Sequence, residues 1–242
     1  MMKIIVTASG GGRRFYDSGF QTPKYKIIAN GHSLFYWSLL SLKSLRKYFF
    51  CLIFNRHNYD KQFVEIELQK LSIKNYKIIV LPKITDGQAT TAMAANKFMK
   101  SNDSVVIYNI DTYIKPGIIN RNIFKYDGNI TTAKAKGNHW SFVKLGKNGF
   151  ATATSEKIRI SSNCSIGSYY FKRWSDFKNI YKCFKNKIKT QYKEVYIAPM
   201  YQFMINQGNK IGIKNIKMNN IVSLGTPKEV SKFDKNFVKN NY

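Results

Sequence analysis

The segment Thr7-Ala8-Ser9-Gly10-Gly11-Gly12-Arg13-Arg14-Phe15 follows an apolar run, Ile4-Ile5-Val6, and Pro23-Lys24 comes shortly after it. The run reads as a buried first strand and the glycines as the turn that leaves it. Glycine permits positive φ and brings backbone N–H groups close to a ligand with no side chain in the way, so such a turn is a phosphate cradle. Arg13, Arg14 and Lys24 add cations able to neutralise a triphosphate. His32, His57 and His139 stand far apart, and no Ser-His-Asp or Cys-His set is suggested by position. The chemistry legible here is the holding of phosphates.

The elements that must position these residues alternate. Residues 3–7, 48–54, 76–81 and 104–110 read as strands, and 33–45, 60–71 and 88–99 as helices, the second starting from an acidic cap at Asp60. After about residue 128 the pattern changes to short strand-like runs at 129–135, 141–145, 150–154 and 166–171. Helices are expected at 176–184 and 198–206, and a last one through 227–237 with Pro227 in its first turn. The expected fold is α/β and Rossmann-like, with a mixed, mostly parallel sheet and helices on both faces. A small mixed α/β subregion belongs to the second half. The organisation expected is a single domain, 1–242, with a nucleotide-binding half at 1–127 and an acceptor-binding half at 128–242. In open α/β sheets ligands bind outside the carboxyl ends of the strands. Gly10, Gly11 and Gly12 follow the first strand, Gly87 follows the third, and Asp111 ends the fourth, so three loops are expected to converge.

These residues carry a family resemblance. Gly10, Gly12, Arg14 and Phe15 fill G-x-G-x-R-[LF], and Pro23 and Lys24 the P-K that follows. The pattern resembles the signature of the sugar-phosphate nucleotidyltransferases, the NDP-sugar pyrophosphorylases and their cytidylyltransferase relatives. Thr85-Asp86-Gly87-Gln88-Ala89-Thr90 resembles that family's base-contacting segment, and Asn109-Ile110-Asp111 its metal-binding strand end. Glu156-Lys157 resembles its E-K pair, and Gly225-Thr226-Pro227 its terminal G-T-P. The elements come in family order over nearly the whole chain. The form F-x-x-x-G-F-x-x-P-K-Y, from Phe15 to Tyr25, is similar to enzymes linked to capsule and other surface polysaccharides.

The resemblance implies an enzyme that joins a phosphorylated acceptor to the α-phosphate of an NTP and releases pyrophosphate. It implies nucleotide contacts from Ala8, Ser9, Gly10, Gly11, Gly12, Arg13, Gly87, Gln88 and Ala89. Arg14 is expected to grip the β- and γ-phosphates, and Lys24 to reach the α-phosphate or the acceptor phosphate. Glu156, Lys157 and Gly167 are expected at the acceptor, and Asp111 is expected to ligate Mg²⁺. Relatives often carry a second ligand as D-x-G-T-P, and here Ser223 holds that place, which departs from the pattern. The Gln88 amide both donates and accepts, which suits a pyrimidine edge, so CTP, dTTP or UTP is favoured. The acceptor stays open between a sugar 1-phosphate and a non-sugar phosphate such as a phosphorylated amino acid.

Composition bounds the reading. The chain has 242 residues and is 44% hydrophobic, enough for a core. No apolar run approaches the roughly 18 residues that span a bilayer, and residues 1–6 lack a signal-peptide pattern. Three scattered cysteines suggest reduced thiols and, with those absences, a cytoplasmic protein with no membrane insertion. The formal charge of +27 suggests an anionic partner, and abundant Lys, Asn and Ile suggest that much of it reflects AT-rich coding. Two other classes compete. A glycosyltransferase of related architecture would use a D-x-D motif, which Asn109-Ile110-Asp111 matches only in part. A nucleic-acid-binding protein would interleave basic and aromatic residues on one face, whereas Phe49-Phe50 and Tyr169-Tyr170-Phe171 lie in apolar runs, so no specific nucleic acid is expected.

Overall fold

The structure is a computed structural model and describes residues 1–237. In chain order the strands and helices are β1 (Met2–Ala8), α1 (Arg13–Tyr16), β2 (Ile28–Ala29), β3 (His32–Ser33), α2 (Leu34–Leu40), β4 (Phe49–Asn55), α3 (Lys61–Lys70), β5 (Tyr76–Leu81), α4 (Gln88–Met93), β6 (Ser104–Asn109), β7 (Thr112–Ile114), β8 (Gly128–Lys134), β9 (Ser141–Leu145), β10 (Ala151–Glu156), β11 (Asn163–Phe171), α5 (Trp174–Tyr192), α6 (Ala198–Asn206), β12 (Ile211–Ile216), β13 (Ile221–Ser223) and α7 (Pro227–Phe233). The chain is an α/β protein with a mixed sheet and helices around it, as the alternation predicts. It forms two compact units, and neither is one continuous stretch of chain. The first holds Met1–Ile5, Thr85–Tyr108 and Asn122–Met218; the second holds, of the described residues, Val6–Ile84, Asn109–Arg121 and 219–237.

In the first unit the strand order is β10-β9-β11-β6-β1, with β8 beside β11 and β12 beside β8. β11 is the centre of this part, antiparallel to β6 and β8 and buried along its whole length. Its aromatics build the core: the Phe171 ring stacks on Tyr201 at 4.6 Å and meets Phe177 edge-on at 5.2 Å. The sequence predicts α5 only over 176–184, but it runs from Trp174 to Tyr192. Ile188, four residues after Phe184 and 1% exposed, carries the apolar stripe through a lysine-rich stretch. The helix ends at Lys193 in the left-handed region.

In the second unit β4 and β5 are parallel and in register from Phe50–Tyr76 to Asn55–Leu81. β7 pairs antiparallel with β13, matching Thr112 with Ser223. β2 and β3 form a hairpin about Asn30-Gly31, both at positive φ, the turn chemistry of a two-residue hairpin. The expected helix at 33–45 stops earlier: Ser33 caps α2 by accepting from the Tyr36 N–H at 3.0 Å, and only a short 3₁₀ turn follows. Likewise the helix expected at 88–99 is helical to Met93 and continues as 3₁₀ over Ala94–Phe98. Pro227 opens α7 as expected, with Thr226 as its cap, but the helix ends at Phe233 rather than at 237. Phe15, Phe20, Ile27, Leu34, Leu224 and Val230 pack into one buried cluster. This cluster seats the glycine-rich loop and the end of β13.

Candidate active site

Arg14 and Lys24 are presented by their buried neighbours. Phe15 and Phe20 are each 1% exposed and meet edge-on at 5.1 Å, which turns the flanking arginines outward. Gly12 sits at φ 66 and caps α1, and a Cβ there would lie 3.4 Å from the Lys24 Cβ. The loop and the lysine stem are therefore packed together. No described hydrogen bond uses the N–H groups of Gly10, Gly11 or Gly12. The carbonyls of the loop are tied instead: Asn55 Nδ2 donates to Ser9 O at 3.0 Å, and Asn58 Nδ2 to Gly10 O at 3.4 Å. Ser9 Oγ is buried with no partner among the described residues. Ala8, also buried, ends β1. Tied carbonyls and uncommitted N–H groups are the arrangement an anion needs.

The two arginines differ. Arg13 is almost fully exposed and reaches Asp17 of its own short helix at 3.6 Å. Arg14 points to the Gly225-Thr226-Pro227 loop, its Nη1 lying 3.7 Å from where a Gly225 Cβ would be. Lys24 has a largely buried side chain, only 11% exposed, and its ammonium donates to the Asp111 carboxylate. The ammonium also lies 5.7 Å from the centre of the Phe15 ring. Asp111 sits in the turn between β6 and β7. That turn is fixed from two sides: Leu224 N donates to Asp111 O at 2.7 Å, and Ile114 N to the buried Ser41 Oγ at 2.8 Å.

The first unit gathers a second set. The N–H of Val195 donates to Asp86 O at 2.8 Å, and the N–H of Ala89 donates to Val195 O at 3.0 Å. Gly87 is required there: it sits at φ 148, and a Cβ would lie 2.5 Å from Val195 N. Asp86 is further held by Thr90 and by Lys189 at 2.9 Å, and the hydroxyl of Thr90 is the first reason its carboxyl lies below the usual range. Gln88 opens α4; Ala89 is fully buried with its N–H committed to Val195. The residue after Val195 is Tyr196, whose hydroxyl accepts from Lys157 Nζ at 2.7 Å. Lys157 holds a left-handed backbone at φ 58, and its neighbour Glu156 accepts from Ser141. The base-segment residues and the E-K pair are thus joined through Val195-Tyr196. Gly167 lies at φ 81 inside β11, where the register with β8 shifts between Ser165 and Tyr169.

A nucleoside-diphosphate-sugar pyrophosphorylase from Vibrio cholerae RC9 superposes with a TM-score of 0.84 over 97% of this chain and all of that one, at 28% identity. The chain is similar to the sugar-phosphate nucleotidyltransferases over nearly its whole length.

Two more distant structures share the fold of this nucleotidyltransferase. A Bacillus anthracis protein assigned as a glucose-1-phosphate thymidylyltransferase matches at 17% identity and TM-score 0.76, covering 100% of this chain and 99% of that one. The inositol-1-phosphate CTP transferase of T. maritima matches at 16% and 0.70, covering 95% and 91%. No protein-family model matches the chain, and no curated protein does. No helix among the described residues is long and apolar enough to cross a membrane.

The donor set of the nucleotidyltransferase can be tested against a divalent cation. Among the described residues no three His, Cys, Asp or Glu side chains gather as a metal cluster. Asp111 offers one carboxylate, half exposed, with Ser223 on the strand beside it. One carboxylate suffices for Mg²⁺ only where phosphate oxygens complete the shell, so the residues fit a cation that arrives on a nucleotide.

Asn55 and Asn58 escaped the sequence reading, and Tyr25 stood in it only as the end of a motif. Tyr25 OH donates to Asn58 O at 2.5 Å and accepts from Asp60 N at 3.0 Å. Burial pushes its phenol up to about 12. The signal was an apolar strand ending in Asn55 with a second asparagine three residues on. The pairings of Tyr196 with Lys157 and of Ser141 with Glu156 were missed, since their partners lie 39 and 15 positions away.

Glu156 carries a testable consequence. It is 4% exposed, and burial raises its carboxyl above the ordinary 4.5, opposed by the Ser141 hydroxyl and by Lys157. A raised folded value means the folded state holds the proton more tightly. Stability is then present at low pH and falls as pH rises from 4.5 through the raised value. Glu156→Gln removes this cost, so its melting temperature exceeds that of the parent by a few degrees at pH 8. The difference fades on acidification below 4.5. Equal melting curves at pH 8 and pH 4 would show that Glu156 is not strained by its burial.

Proposed function

We propose that the enzyme is a Mg²⁺-dependent nucleotidyltransferase that couples a pyrimidine NTP to a phosphorylated small acceptor and releases pyrophosphate. The observation that carries this is the packing of Lys24 against Gly12 of an N–H-rich loop with its ammonium on Asp111. It is supported by the 28% identity with the pyrophosphorylase over 97% of this chain and all of that one. The nucleophile is the acceptor's own phosphate oxygen, which needs no side-chain base. It attacks the α-phosphorus, the bond from that phosphorus to the bridging oxygen breaks, and pyrophosphate leaves with the electron pair. The work left to the protein is to hold two repelling anions in line and to stabilise the leaving charge.

In this reading the N–H groups of Gly10, Gly11 and Gly12 cradle the triphosphate, and Arg14 grips its outer phosphates. Lys24 serves the α-phosphate. Gln88 reads the base. Glu156 accepts from an acceptor hydroxyl or amine, and Lys157, steadied by Tyr196, pairs with the acceptor phosphate. Gly167 keeps the backbone near the acceptor free of a side chain. A magnesium ion held by Asp111 would supply further neutralisation of the phosphates. The distant neighbours named for thymidylyl and CTP transfer favour a pyrimidine base, and one of them is named for an inositol phosphate acceptor. The acceptor in this reading is a sugar 1-phosphate or a non-sugar phosphate such as a phosphorylated amino acid. The product suits capsule or surface-polysaccharide precursor synthesis in the cytoplasm, where NTPs are made.

The test is pyrophosphate release with CTP, UTP, dTTP, GTP and ATP and Mg²⁺, against a panel of sugar phosphates and other phosphorylated metabolites. Release with a pyrimidine NTP and one acceptor is the expected result. Transfer of sugar from a finished nucleotide sugar, with no pyrophosphate formed in any combination, would replace this reading with a glycosyltransferase.

A further inference from the structure

The chain carries 40 Lys and Arg against 13 Asp and Glu, so a carboxylate without a cation is unusual in it. Among the described residues the acids that hold no cation within 4.0 Å are Glu156, Glu194, Glu229 and Asp234; every other is in an ion pair. Two of these are accounted for in the second unit. Glu229 accepts from Thr226 Oγ1 at 3.0 Å at the start of α7, and Asp234 accepts from Asn30 N at 2.7 Å. Glu156 and Glu194 both belong to the first unit and bear on the same groups.

Glu156 is 4% exposed, with the Tyr169 and Tyr192 phenols beside it; both phenols are raised first by burial and then by the Glu156 charge. Ser141 donates to its Oε2. Its Oε1 has no partner among the described residues and is not one of the sealed orphan atoms, so it opens to the space of the site. Glu194 follows the end of α5 and is exposed, and its charge acts on Glu156, Lys157 and Tyr196. Lys157 makes an ion pair with neither acid. Its ammonium donates to the Tyr196 hydroxyl at 2.7 Å and lies 4.9 Å from the centre of that ring. A buried carboxylate with no cation beside it destabilises the fold, and a second carboxylate nearby adds to the effect. The site is therefore short of one positive charge that the protein does not supply.

In the reading above Lys157 serves the acceptor phosphate. An acceptor made only of phosphate and hydroxyls brings further negative charge to two carboxylates and neutralises neither. A hydroxyl can donate to Glu156 but carries no charge. An ammonium donates to the open oxygen of Glu156 in a charge-assisted hydrogen bond, and it lies in the attractive field of Glu194. We propose that the acceptor carries a protonated amine as well as its phosphate, and that Glu156 and Glu194 together select it. Glu156 takes the hydrogen bond, and Glu194 supplies the second negative charge. The substrate class is an aminated phosphate monoester: an amino sugar, amino alcohol or amino acid phosphate rather than a plain sugar 1-phosphate. This inference rests on the nucleotidyltransferase reading above.

The experiment compares acceptors that differ only at the nitrogen. Glucosamine 1-phosphate is set against glucose 1-phosphate and N-acetylglucosamine 1-phosphate, ethanolamine phosphate against 2-hydroxyethyl phosphate, and O-phosphoserine against 3-phosphoglycerate. Pyrophosphate release with CTP, UTP and dTTP and Mg²⁺ is read as kcat/KM. An amine is expected to exceed its uncharged twin by at least about tenfold, the scale of a desolvated charge pair. Glu156→Gln and Glu194→Gln are each expected to collapse that ratio, whereas Glu194→Asp, which keeps the charge, retains most of it. Glu194 is exposed, so its variants are expected to melt with the parent. Uncharged twins used as well as or better than the amines overturn the inference, as does an amine preference that survives in both Gln variants. Pyrophosphate from no acceptor with any of the nucleotides overturns the nucleotidyltransferase reading itself.

Discussion

Lys24→Ala lowers turnover roughly a hundredfold or more, the scale of losing one preorganised charge stabiliser, and Asp111→Ala does the same. The Lys24 side chain is 11% exposed, against 27% for Lys26 and 90% for Arg13, and its orientation is set by Gly12 and Phe15 rather than by solvent. A preorganised ammonium acts without reorganising as charge develops. Arg13, almost fully exposed, has no such support, and its truncation to alanine is expected to cost far less. Both Lys24 and Asp111 variants keep the fold, because the ion pair has one exposed partner and such pairs contribute little to stability. Steady-state pyrophosphate release and a thermal melt on the same preparations check this. Near-parental turnover in both would remove these residues from the site; loss of the melt would make their role structural.

Gly87→Ala destabilises the protein by about 3 kcal/mol or more, the upper range for forced overpacking. Two costs combine. The backbone at φ 148 is a region that side chains rarely adopt, and the new Cβ would meet Val195 N, C and O at 2.5 to 2.8 Å. Those are backbone atoms, fixed by the Asp86–Val195 and Ala89–Val195 hydrogen bonds, so no side-chain rotation relieves the overlap. A urea melt gives the value directly. Gly10→Ala is the control, since a Cβ there meets nothing within 4 Å and Gly10 is not at positive φ. Its stability is expected to stay within about 0.5 kcal/mol of the parent, as for other substitutions away from special features. If Gly87→Ala melts like the parent, the 85–91 segment is not seated on Val195 as described.

Local pattern carried most of the element reading. β5, β9 and α6 match their expected limits, since each is a short apolar or periodic run between clear turn residues. Asp60 caps α3 as its position suggests, accepting from Phe63 N at 3.0 Å. β12 was missed because Ile-Gly-Ile-Lys-Asn-Ile reads as a broken strand. Its glycine is needed for a non-local reason: a Cβ on Gly212 would lie 2.8 Å from the Tyr126 ring. Parallel pairing with β8 makes the strand, and no window of sequence contains that partner.

The candidate site divides the same way. The chemistry of the parts was legible from residue type: a glycine turn after a buried strand, cations beside it, a carboxylate at a strand end, an acid–base pair further on. These follow from residue type and short-range spacing, which fix φ, charge and donor count. Which parts meet is set by long-range packing. Lys24 and Asp111 are 87 positions apart, Lys157 and Tyr196 are 39 apart, and Asn55 reaches Ser9 across 46. Closing loops of that length costs entropy that no local preference repays. The partners are set by where the buried faces of the strands and helices lock, and the site forms from what that packing leaves at the surface.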